Sequence, residues 1–274
     1  MKYIKTLGKK FLEKKGLLFH YSAMLENKNI AILLRGISYQ KNYQHYMADS
    51  VSPDIDFRKC FPSFRSNILQ CLKGFTGVFI TTYATIHSAK LKQKYFPAYL
   101  NLKTGDSTST TGSCLKTGEI IREDLNLLLD EVEEYEKHNN LKFDYFLLTR
   151  LDAAFDAPIS TLKLNFNKFN FLCPTASSNP ANRGLITNDD NFFFFPKKMY
   201  APFRSAVKNL SFKSDVHKNG FHDLCSILPP HSVHFIYPEA HLIAKERPFI
   251  IFSREIPDDP KEADSFWNTK RVPS

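Results

Sequence analysis

Apolar residues fall along this chain in short, dense runs separated by segments with helical periodicity. NIAILLRG (29–36) is a continuous Ile- and Leu-rich run that breaks at Arg35 and Gly36, as a buried strand ending in a turn does. TGVFITTY (76–83) and DYFLLT (144–149) repeat the pattern, and PAYLNLK (97–103) is a further strand candidate. Later runs, KLNFNKFNFLCP (163–174), NFFFFP (191–196) and HSVHFIYPE (231–239), complete the strand set. Between them, GEIIREDLNLLLDEVEEYEKHNN (118–140) places Ile121, Leu125, Leu128, Leu129, Val132 and Tyr135 three and four apart, which predicts a long helix with one apolar face. FPSFRSNILQCLKGF (61–75), with Pro62 in a helix-starting context, IHSAKLKQKYF (86–96) and KKMYAPFRSAVKNL (197–210) are the other helix candidates.

Strand and helix alternate, and the strands are apolar on both sides of the chain. This predicts a single α/β domain with a mostly parallel central sheet and helices on both faces. Residues 1–28 are a basic amphipathic helix, 29–250 the main domain with halves 29–150 and 151–250, and 251–274 a Pro- and charge-rich, loosely packed arm. The segment 104–117, TGDSTSTTGSCLKT, is polar and Gly-punctuated, and is long enough for a functional loop.

Composition narrows the chemistry. Of 274 residues 43% are hydrophobic, enough for a large core, while only 10 are Gly and neither GxGxxG nor GxxxxGK[ST] occurs. Dinucleotide-binding and P-loop readings lose their main support. No GxSxG elbow marks a serine hydrolase. The five cysteines, Cys60, Cys71, Cys114, Cys173 and Cys225, are odd in number and dispersed, without CxxC. Reduced core residues in a cytoplasmic protein fit better than a disulfide or zinc framework.

A net charge of +9 favours anionic partners such as phosphates or lipid surfaces. The basic residues beyond the N-terminus are scattered, so a nucleic-acid face is not indicated. The first 28 residues hold seven lysines around Ile4, Leu7, Phe11 and Leu18. Such a helix either rests on an anionic membrane surface, giving peripheral membrane contact, or packs on the protein's own body. No apolar run is long enough to span a bilayer.

The strand ends carry the chemistry. Ligands of open α/β sheets gather beyond the carboxyl ends of the strands, and three strands here end in Arg35 and Gly36, in Thr82 and Tyr83, and in Arg150 and Asp152. A carboxylate just past a strand can hold a divalent cation, and a neighbouring arginine can pair with phosphate through its planar fork. The bland alternative for an isolated RxD is a surface ion pair. TRLDAAF after an apolar strand resembles the R-x-[RP]-D strand end of GT-A-type glycosyltransferases, where it takes the place of DxD. ILLRGISYQKNY (32–43), DFRKCFPSFRSNI (56–68) and VFITTY (78–83) are similar to the N-terminal half of glycosyltransferase-like proteins of large DNA viruses of algae. DDNFFFFPKKM (189–199) resembles the downstream D-[QN]-F segment of such enzymes. The first acid of DxD is absent, leaving Asp152 alone.

The resemblance implies a GT-A, Rossmann-like fold and transfer of a sugar from a nucleotide diphosphate, with UDP-xylose or UDP-glucose as candidate donors, to a hydroxyl of a glycan or glycoprotein. It puts Arg35, Gly36, Ser38 and Tyr39 at the uridine and ribose, Arg65 and Arg150 at the diphosphate, and Thr82 and Tyr83 near the base. Asp152 either holds manganese or magnesium, with His241 of YPEAH as a further ligand, or hydrogen-bonds the donor sugar. Asp190, or its neighbour Asp189, is the candidate base for the acceptor hydroxyl, and adjacent carboxylates raise each other's proton affinity. An Asn-Asp-Asp run is equally ordinary turn chemistry before a strand. His222 and Asp223 form a further base-and-orienter candidate. With a base and no second nucleophile, inversion by single displacement is expected. The rival readings are a non-catalytic nucleotide- or glycan-binding protein with a decayed site and a basic membrane-surface adaptor.

Overall fold

The structure is a computed structural model. It describes residues 25, 27–36, 39–40, 55–72, 74, 76–80, 114–176, 186–210, 224–239, 249–252, 255–257, 259, 261–262 and 265–266. The expected helix at 1–28 apart from residues 25, 27 and 28, the elements at 86–96 and 97–103, and the loop up to residue 113 lie outside them.

Three of the apolar runs form the first half of a central sheet. β1 (Ile30–Arg35), buried along its whole length, lies between β4 (Thr76–Ile80) and β5 (Tyr145–Arg150), and both pairings are parallel. The short β2 (Tyr39–Gln40) and β3 (Ile55–Asp56) pair with each other outside this sheet. Next to β5 comes β10 (Phe192–Pro196), antiparallel to it, then β7 (Phe169–Phe171), antiparallel to β10, and last β11 (Val233–Phe235), parallel to β7.

The sheet is therefore mixed, with β10 alone running against the other strands. This corrects the expectation of a mostly parallel sheet in one respect. Between β7 and β10 the chain passes through β8 (Pro174–Ala176) and β9 (Ile186–Asn188), which pair antiparallel, and among the described residues no crossover helix lies between β7 and β10. A chain that turns back at one sheet edge re-enters antiparallel, because a parallel return needs a long crossover.

Alternate residues on each strand face two separate cores. One side carries Ile32, Leu34, Val78, Leu147 and Phe194 against α1 (Phe57–Asn67) through Phe57 and Phe64. The other carries Leu33, Phe79, Phe146, Phe193 and Phe195. There they meet Leu125, Leu128 and Val132 of α2 (Cys114–His138) and Phe203 of α3 (Tyr200–Lys208). Helices thus cover both faces, as the continuous apolar runs require. The four phenylalanines of β10 are fully buried, and Phe195 stacks on Phe146 and Phe169 with centroids 5.2 and 4.5 Å away. Each such ring contributes about 1.5–3 kcal/mol of burial. Gly77 is small for a reason of space, since a Cβ there would sit 2.8 Å from the Phe143 ring.

Three boundaries differ from the sequence reading. α1 starts at Phe57 with Pro62 inside it, because Asp56 supplies an N-cap, its Oδ1 accepting the Arg58 N–H at 3.0 Å. The backbone of α2 is helical from Cys114, earlier than residue 118. The C-terminal region expected as a loose arm from 251 instead supplies β12 (Ile250–Phe252), paired antiparallel with β6 (Ala153–Phe155), and Ile256 is buried beside Cys60 and Ala154. Its apolar IIF run makes it a strand despite the Pro- and charge-rich residues that follow. Among the described residues no helix is long and apolar enough to cross a membrane.

Candidate functional site

The carboxyl ends of β1 and β5 meet side by side, with Arg35 and Arg150 as register partners. β10 runs the opposite way, so its leading turn, Asp189 to Asn191, reaches the same edge. Backbone and side-chain bonds fasten the three together. The Leu151 N–H donates to the Arg35 carbonyl at 2.9 Å, and the Thr149 hydroxyl to the Asn191 carbonyl at 2.8 Å.

Arg35 is buried and pairs with Asp190. Its Nη2 lies 3.2 Å from Oδ2 and also donates to the Asp190 carbonyl oxygen. Gly36 follows with φ +102°, a left-handed conformation that disfavours any side chain, while a Cβ there would meet no described atom within 4 Å. Backbone conformation, more than close approach, selects glycine at this turn.

Arg150 and Asp152 face each other in a fork-to-carboxylate pair, Nε to Oδ1 and Nη2 to Oδ2 both at 2.8 Å. Asp152 has no exposed side-chain surface, whereas Arg150 keeps 21%. The Phe252 ring of β12 lies 4.9 Å from the Arg150 guanidinium carbon, so the cation is held at its edge by a carboxylate and on its face by a ring. Behind them the Cys60 thiol donates to the Asp152 carbonyl at 3.2 Å. Burial, then the nearby Asp152 charge, raises that thiol well above its usual range, so it is an inert core group.

Neighbouring Asp189 has a different fate. It is fully buried, and its Oδ1 accepts the N–H groups of Leu172 and Cys173 at 2.8 and 3.2 Å. Oδ2 accepts those of Asn191 and Phe192 at 3.1 and 3.2 Å. Burial pushes its carboxyl up to about 7 against the pull of those backbone donors, with the Asp190 charge adding to the rise. Asp189 staples β7 to β10, as the turn-chemistry alternative describes, whereas the Asp190 side chain is 19% exposed. Asn188, equally buried, caps α4 (Leu224–Ile227) by accepting the Cys225 N–H at 2.8 Å.

Of the remaining expected residues, only Arg65 has a described side chain. Arg65 is exposed on α1, and among the described residues no contact joins it to the two arginines or the three carboxylates. The Tyr39 backbone lies in β2, paired with Asp56. Ser38, Thr82, Tyr83, His222, Asp223 and His241 lie outside the described residues. Sequence reasoning missed Asp56, Asn188 and Phe252. An aspartate directly before a helical run is a readable cap signal, but nothing local ties Phe252 to Arg150, 102 positions earlier.

The three carboxylates described at this edge are poorly disposed to hold a divalent cation. Each Asp152 oxygen accepts an Arg150 N–H, each Asp189 oxygen accepts two backbone N–H groups, and Asp190 stands against Arg35. Among the described residues no group of three His, Cys, Asp or Glu could hold a metal. A scan against protein-family models and a search of curated proteins find no match to this chain.

Proposed function

We propose that this edge binds a nucleoside-diphosphate sugar, in the manner of GT-A-type glycosyltransferases, and that the chain transfers the sugar to a hydroxyl of a glycan. The observation that carries the reading is the meeting of Arg35, Arg150 and Asp190 at the carboxyl edge of the sheet, where the parallel strands end and β10 begins. Open α/β sheets take their ligands at that edge. Asp190 accepts the proton of the acceptor hydroxyl. The freed oxygen attacks the anomeric carbon of the sugar while the bond to the β-phosphate oxygen breaks, and the electron pair leaves with the diphosphate. Arg150, held rigid, faces the charge that builds on the departing group. One displacement of this kind inverts the anomeric centre.

The donor is proposed as a UDP-sugar, with xylose and glucose the first to try. The test is incubation of the full chain with UDP-sugars and candidate glycans, following UDP release and glycan mass. Wild-type turnover that is lost in Asp152→Ala and in Asp190→Asn supports the reading, and absence of both binding and turnover across the donor panel overturns it.

A second reading draws on the same geometry. Asp152 and Asp190 are both engaged by arginines, which suits a site that binds nucleotide or glycan without turnover. UDP binding with no transfer or hydrolysis on any acceptor would select it.

A further inference from the structure

We propose that the diphosphate is held without a divalent cation, Asp152 serving to aim Arg150 instead of ligating a metal. This rests on the reading of the sheet edge as a nucleoside-diphosphate site. A cation bound to a carboxylate needs an oxygen lone pair at about 2.0–2.6 Å and usually several such oxygens. Asp152 is poorly placed for this, since each of its two oxygens already gives one lone pair to an Arg150 N–H at 2.8 Å and its side chain has no exposed surface through which a hydrated cation could reach the others. A metal entering there would displace the guanidinium and leave two cations crowded in a buried space. Asp189 is committed to four backbone N–H groups, and Asp190 lies 3.2 Å from Arg35.

The same contacts make Arg150 a good substitute for a metal. A guanidinium carries a permanent charge and a planar fork, and binds phosphate at little entropic cost when already immobilised. Asp152 fixes its Nε and Nη2 edge, and Phe252 at 4.9 Å fixes its plane. The Phe252 contact is in turn set by the pairing of β12 with β6 immediately after Asp152. Asp152 is thus a positioning residue.

The test is calorimetric titration of UDP into the full chain, once in EDTA and once in excess manganese. Equal affinity within about twofold is expected. Asp152→Asn, close to isosteric, should weaken UDP by about tenfold in both buffers, the scale of one charge-assisted hydrogen bond. If that variant does not melt cooperatively, Arg150→Gln replaces it with the same expectation. Binding that appears only with manganese, or a manganese enhancement abolished by Asp152→Asn, overturns the cation-free proposal while leaving the diphosphate site intact. A cooperatively folded wild type that binds no UDP in either buffer overturns the site reading itself, and this inference with it.

Discussion

Arg35 and Asp190, 155 positions apart in the chain, form the ion pair that joins the end of β1 to the turn before β10. The contact aims the Asp190 carboxylate from a buried guanidinium, so the two act as one unit. Asp190→Asn keeps the shape and the backbone bond to Arg35 but removes the proposed base. Sugar transfer should fall by about 10²–10⁴-fold, the usual worth of a general base, while UDP affinity changes by no more than about threefold. Steady-state kinetics beside UDP titration checks this. A variant that transfers at the wild-type rate would exclude Asp190 as the base.

Asp189 predicts a pH effect on stability and none of its own on chemistry. Its native pKa, near 7, lies above the ordinary 3.8, so the folded protein holds the proton more tightly than the unfolded chain. Its contribution is therefore most favourable below about pH 4, declines as pH rises towards 7, and is flat beyond. The slope is at most about 1.4 kcal/mol per pH unit. Asp189→Asn should abolish that slope and, by setting an NH₂ against backbone donors, cost about 1–3 kcal/mol. Urea unfolding of both proteins between pH 4 and 8 is the measurement. An unchanged slope in the variant would assign the titration elsewhere.

The adjacent aspartates mark where the sequence was legible and where it was not. β1, β5 and β10 could be read because both faces of each are buried, which writes an unbroken apolar run. The ends of those strands were readable too, since Arg35, Gly36 and Arg150 interrupt such runs. Direction was not. Nothing in NFFFFP says that it runs against its neighbours, because reversal follows from the antiparallel pair of β8 and β9, and pairing is a long-range property. Partner choice was hidden for the same reason. Asp189 and Asp190 have the same chemistry in sequence, and only the register of β7 against β10 turns one inward onto four N–H groups and the other towards Arg35.

Phe252 supplies a prediction that no local sequence signal suggests. Its ring over Arg150 is worth about 0.5–2 kcal/mol as a cation–π contact. Phe252→Leu keeps an apolar group in β12 but loses the ring, and should weaken UDP by about three- to tenfold. Phe252→Tyr, which keeps it, should restore most of the affinity. If leucine and tyrosine variants bind UDP alike, the ring acts only as packing.

A control for all of these sits at the opposite end of the sheet. Glu136, almost completely buried near the end of α2, accepts the Phe143 N–H at 2.8 Å and both bonds of Lys197, at 2.8 and 2.7 Å. Lys197 in turn lies 4.7 Å from the Tyr200 ring and 5.4 Å from that of Phe146. Lys197→Met leaves a buried carboxylate with the Phe143 N–H and the more distant Lys142, 3.5 Å away. Because Lys197 is partly exposed, the expected loss is about 1–3 kcal/mol and not the full cost of a buried pair. Glu136→Gln in the same background should return part of it, since no unpaired charge then remains. UDP affinity should be unchanged in both variants, because β5 separates this cluster from Arg150 by its whole length. Thermal melting with UDP titration reads both quantities. A variant here that lost UDP binding while still folded would mean that the two ends of the sheet are coupled, and the effects of substitutions at Asp190 and Phe252 could not then be assigned to the edge alone.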